Sequence, residues 1–88
     1  MKVYVIINNI YDCIGQKHTS IMLGVYSTYE DAENAQHRYA EQELINIERH
    51  GGSTRRYKDY NNSPVVMHLA DNKLLIENTF AIEEWEVQ

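Results

Sequence analysis

Ser27-Thr28-Tyr29-Glu30-Asp31-Ala32-Glu33-Asn34-Ala35-Gln36-His37-Arg38-Tyr39-Ala40-Glu41-Gln42-Glu43-Leu44-Ile45-Asn46-Ile47-Glu48-Arg49-His50-Gly51-Gly52 is the stretch on which the fold turns. It opens as a capping box. The Ser27 hydroxyl is placed to accept from the backbone N–H of Glu30, whose carboxylate reaches back. Glu30, Asp31 and Glu33 suit the positive end of a helix dipole. Apolar residues then recur at Ala32, Ala35, Tyr39, Ala40, Leu44 and Ile47, the three-and-four spacing of one helical face. The spacing predicts a helix from Thr28 to Arg49, stopped at Gly51-Gly52 where a left-handed cap is available. Its small-residue first half allows close approach to a sheet.

The flanks supply that sheet. Val3-Tyr4-Val5-Ile6-Ile7 is β-branched and aromatic and apolar on both sides, as in a central strand. Asn8 to His18, polar and carrying Gly15, reads as a loop. Thr19 to Tyr26 reads as a second strand, with Ile21, Leu23 and Val25 on one face and Met22 and Tyr26 on the other. Ser53 to Pro64 has no period and reads as a long loop. Val65 to Leu69 is a third strand and Asp71-Asn72 a turn. Lys73 to Glu77 and Thr79 to Val87 follow as further strands. In the last, Ala81, Trp85 and Val87 share one side, and Phe80 and Ile82 the other. Residues 74–85 also tolerate a helix. The order is β-β-α-β-β-β: an α+β domain, an antiparallel sheet of four or five strands with one long helix on one face.

One helix covers one face. The parity above puts Tyr4, Ile6, Met22 and Tyr26 on the other, with Phe80 or Ile82. An apolar sheet face of that kind meets a partner, so a homo-oligomer, in the simplest case a homodimer, is expected.

The 88 residues make one domain, residues 1–88, too small for a catalytic barrel or a doubly wound dinucleotide fold. Apolar residues are 43% and charged ones 24%, the balance of a folded domain and too apolar for disorder. The net charge of −5 disfavours nucleic acid and anionic membrane as partners. The single cysteine, Cys13, excludes an internal disulfide, and the short N-terminal apolar run lacks the length of a signal peptide or a membrane span; a cytoplasmic protein is expected.

Chemistry is sparsely marked. His18, His37, His50 and His68 show no paired metal-ligand spacing, so no metal and no cofactor is expected. Gly51-Gly52-Ser53-Thr54 follows a helix and lacks the lysine of a phosphate loop. Glu83 and Glu84, adjacent in a strand, point to opposite faces and do not form a catalytic pair. No nucleophile–base set is visible, so the chain does not read as an enzyme.

One cluster stands out. Arg49, Arg55, Arg56 and Lys58 are four of the eight basic residues, interleaved with Tyr57 and Tyr60. Such a set binds an anion, stacks on a base or anchors a protein interface. Two readings stand: a small non-catalytic binding or modulator protein with a protein partner, or a binder of a small anionic ligand or nucleotide through Arg55, Arg56 and Tyr57.

Three stretches carry a resemblance: Met1-Lys2-Val3-Tyr4-Val5, Leu23-Gly24-Val25-Tyr26-Ser27-Thr28-Tyr29-Glu30-Asp31-Ala32-Glu33 and Phe80-Ala81-Ile82-Glu83-Glu84-Trp85-Glu86-Val87. Together they resemble a group of short uncharacterised bacterial and bacteriophage proteins. Those proteins open with a similar strand, step through Gly-Val-Tyr-Ser into an alanine-rich helix, and close on an acidic aromatic strand. The resemblance implies a phage or mobile-element accessory factor acting on a host or defence protein. It implies no catalytic residues.

Overall fold

The computed structural model describes residues 1–88. Its elements are β1 (Lys2–Asp12), β2 (Lys17–Tyr26), α1 (Tyr29–Arg49), β3 (Ser53–Lys58), β4 (Pro64–Ala70) and β5 (Lys73–Glu86). The strands form one antiparallel sheet in the order β2-β1-β5-β4-β3. The helix packs against it, so the fold is α+β with five strands.

The helix starts one residue later than the capping box suggested. Thr28 is the cap: it is extended, and its hydroxyl accepts from the Asp31 N–H at 3.2 Å. The stop is as the sequence indicates. Gly51 takes a φ of 82°, its N–H donates to the Glu48 carbonyl, and the Gly52 N–H donates to the Ile47 carbonyl.

Two stretches that read as loops are strand. Residues Asn8–Asp12 continue β1, and its turn to β2 is confined to residues 13–16. The Asp12 carboxylate closes that turn by accepting from the N–H groups of Ile14 and Gly15 at 3.0 and 3.1 Å. Ser53–Lys58 is β3, an edge strand paired only with β4. Its lack of apolar alternation is what an edge tolerates: charge there deters further strand pairing. At the other hairpin, Asp71 and Asn72 both adopt positive φ, as a two-residue turn requires. The two strands read after that turn are one continuous strand, β5, with no helix in residues 74–85.

Cross-strand partners share a face, which fixes the layers. Phe80 packs with Ala40 and Ile47 of the helix and with Val66, beside Leu23, Tyr39 and Leu44. Truncating Phe80 to alanine there costs about 3 to 5 kcal/mol. Register carries the same face along β1 and β5 through the pairs Asn8–Phe80, Ile6–Ile82 and Tyr4–Glu84.

Tyr4, Ile6 and Tyr26 therefore lie on the helix side, opposite to the expectation, as do Phe80 and Ile82. The Tyr4 ring meets Tyr29 edge-on at 5.8 Å. The Tyr39 hydroxyl beside Tyr26 donates to the Leu23 carbonyl at 3.1 Å. The neighbouring Tyr26 side chain, then partial burial, raises the Tyr39 pKa. Gly24 leaves room for this arrangement, because a Cβ there would lie 2.9 Å from the Tyr26 ring.

Two features misled the parity. β1 is apolar on both sides, so its pattern names no inner face. In β2 the register skips Leu23, between Ile6–Gly24 and Ile7–Met22. That bulge breaks the alternation and puts Met22 and Val25 on the same face.

Candidate functional site

The face away from α1 carries Val3, Val5, Ile7, Val25, Met22, Ala81 and Trp85 at one end, by the register of β1 with β2 and β5. Val5 is fully buried beneath its neighbours, whereas Met22 and Val25 are each 54% exposed and Trp85 is 42% exposed. Glu83 lies among them and accepts from the Trp85 indole N–H at 2.9 Å. No element of the chain covers this patch. Met22 alone of the four residues expected on the uncovered face is there.

The other end of the same face is polar. One row runs His18, Tyr11, Glu77, Met67, Arg55 across the five strands. The rings of His18 and Tyr11 lie 4.4 Å apart. Tyr57 covers the buried Val65 opposite it. Desolvation raises the Tyr57 pKa, and the charges of Glu77 and Asp59 add to it, Glu77 also through a hydrogen bond.

The basic cluster is divided by the sheet. Arg55 and Tyr57 face outward on the uncovered side. Arg56 points to the helix side and pairs with Glu41 at 2.8 Å. Lys58, on the helix side by alternation, lines a cavity. Arg49 is exposed in the last turn of α1, where a cation suits the dipole. Tyr60 is 96% exposed at the tip of the β3–β4 turn. Arg55 and Arg56, adjacent in sequence, therefore do not converge on one anion.

That cavity, about 410 Å³, went unseen in the sequence. It lies where β4 begins at Pro64 while β5 runs on. Tyr29, Glu33, Gln36 and His37 of α1 form one wall, Ala81 and Ile82 of β5 another, and Lys58 with residues 61–63 close the end. Gln36 was the legible signal: a polar residue inside the apolar stripe Ala32, Ala35, Tyr39, Ala40. It is buried, and its amide donates to the Phe80 carbonyl at 2.6 Å.

The remaining histidines do structural work. His50 caps the helix, its Nδ1 2.7 Å from the Asn46 carbonyl. His68 packs against Gly52 and lies close to Ile47. No three His, Cys, Asp or Glu side chains converge to hold a metal ion. No helix is long and apolar enough to cross a membrane.

Comparison with protein-family models, with characterised proteins and with solved structures finds no match to this chain.

Proposed function

We propose that this chain is a small non-catalytic binding protein that associates with a second copy through the uncovered sheet face. The observation that carries the reading is the exposure of Met22 and Val25 on β2 and of Trp85 across β1 on β5, all on the face that α1 leaves open. Exposed apolar side chains grouped on one face mark an interaction surface. A second copy matches it in chemistry. Apolar meets apolar when a twofold axis lying in the face passes through the end that carries Met22, Val25 and Trp85. This pairing requires neither partner to change shape.

The dimer acts as a modulator of a protein partner in the cytoplasm, the accessory role that the resemblance to short bacterial and phage proteins implies. Arg55 and Tyr57, exposed at the margin of the same face, are the partner-facing side chains. The small-ligand reading draws less support, because the sheet separates Arg55 from Arg56. Native mass spectrometry of freshly purified protein tests both. A dimer mass without added ligand supports the proposal; a monomer retaining a small anion supports the alternative.

A further inference from the structure

We infer that the segment of β5 beyond Phe80 is a docking groove for one extended, basic segment of a partner protein. This inference goes beyond the sheet-face reading and does not depend on it. β5 pairs with β4 only as far as Thr79, whereas it pairs with β1 as far as Glu86. From Phe80 onward one edge of β5 is therefore bare.

Main-chain groups alternate in direction along an antiparallel strand. The Val87 N–H donates to the Met1 carbonyl at 2.7 Å, so the odd residues here serve β1. The Phe80 carbonyl accepts from Gln36, so the even ones face away. Ile82 and Glu84 thus direct N–H and C=O groups along the bare edge.

Pro64 explains why β4 stops. One step beyond the Val65–Thr79 pair it lies opposite Phe80, and it has no N–H to give. Gln36 supplies the missing donor, which seals the ladder at that point. Beyond it lies the cavity of about 410 Å³ between α1 and β5. An added strand of ordinary spacing, about 4.8 Å from β5, continues the line of β4 into that space. Unlike the outer edges of β2 and β3, this edge is roofed by the helix and walled by the β3–β4 turn.

Charge selects the occupant. The cavity itself holds Glu33 and one cation, Lys58; beyond it the helix side of β5 carries Glu84 and Glu86, and Glu30 stands in the first turn of α1. Lys2 and the N-terminal ammonium meet only Glu84 and Glu86. An occupant with lysine or arginine relieves this repulsion. A second copy does not: pairing β5 with β5 sets glutamate against glutamate. Main-chain bonds then give affinity and alternate side chains give selectivity.

The test uses the full chain and the peptide Lys-Val-Lys-Val-Lys-Val-Lys, read by fluorescence anisotropy and amide hydrogen exchange. Three comparisons accompany it: the same peptide N-methylated throughout, a Glu-for-Lys version, and the variant Glu84→Pro, whose lost N–H points outward and not at β1. The inference expects the basic peptide to slow exchange at the Ile82 and Glu84 amides. It expects N-methylation, and separately Glu84→Pro, to weaken binding by about tenfold or more, the loss of one well-made bond. The N-methylated peptide keeps the test decisive if Glu84→Pro does not fold. Equal binding of the N-methylated or acidic peptide, no binding of the basic one, or protection of these amides by protein concentration alone overturns the inference.

Discussion

The side-chain amide of Gln36 donates to the main-chain carbonyl of Phe80 across 2.6 Å, tying the middle of the helix to the sheet where β4 runs out. Both partners are buried. The bond joins the core around Phe80 to the cavity that begins beside it. Removing the amide leaves a buried carbonyl without its donor. Gln36→Ala is therefore expected to destabilise the protein by about 1 to 3 kcal/mol in urea denaturation. An unchanged midpoint would mean that the carbonyl finds another donor.

The helix cap gives a second expectation. Thr28, not Ser27, accepts the first free N–H of α1. Thr28→Ala should cost about 0.5 to 2 kcal/mol, and Ser27→Ala much less. Thermal melts of the two variants side by side decide it; the reverse order would return the cap to Ser27.

Stability at high pH follows from two tyrosines. Tyr39 has its pKa raised by the neighbouring Tyr26 side chain and then by partial burial; Tyr57 has its raised by partial desolvation, then by the charges of Glu77 and Asp59. In each case the folded state holds the phenol proton more tightly than the unfolded chain does. The contribution is therefore complete below the unfolded value of about 10 and is lost as pH rises through the folded value. Melting temperature should fall above pH of about 10, and the fall should shrink in Tyr39→Phe and Tyr57→Phe. A slope untouched by both changes would contradict this.

Much of the fold is legible in the sequence, for physical reasons. The helix announces itself because its period, acidic first turn and glycine stop agree. The Asp71-Asn72 turn is legible because both residue types tolerate positive φ. β3 is hidden because an edge strand needs no apolar alternation. The inner face of β1 is hidden because Val3 to Ile7 is apolar on both sides, and the bulge at Leu23 inverts half of β2. These two errors of parity moved Tyr4, Ile6 and Tyr26 to the wrong face. The cavity is illegible because it is made by the ending of one strand beside another, and only Gln36 hints at it.

The two neighbouring arginines should behave differently. Arg56 is paired with Glu41 on the helix side, at a site open to water, so Arg56→Ala should cost only about 0 to 1 kcal/mol. Arg55 has no such partner and faces outward beside Tyr57. Arg55→Ala should leave both stability and the dimer unchanged, since Arg55 lies at the polar end of the face, away from Met22, Val25 and Trp85. Denaturation and native mass spectrometry on both variants check this; loss of dimer in Arg55→Ala would place the interface between copies at the polar end of the face instead.

The central claim is that the face left open by α1 is an interface between two copies, and sedimentation velocity tests it most directly. The wild-type chain should sediment as a dimer at about 100 µM, and Met22→Glu with Val25→Glu should sediment as a monomer whose circular dichroism is unchanged. Both side chains are exposed, so the substitutions place charge in water in the monomer and in apolar contact in the dimer. A wild-type chain that stays monomeric at that concentration, or a double variant that stays dimeric, would contradict the account.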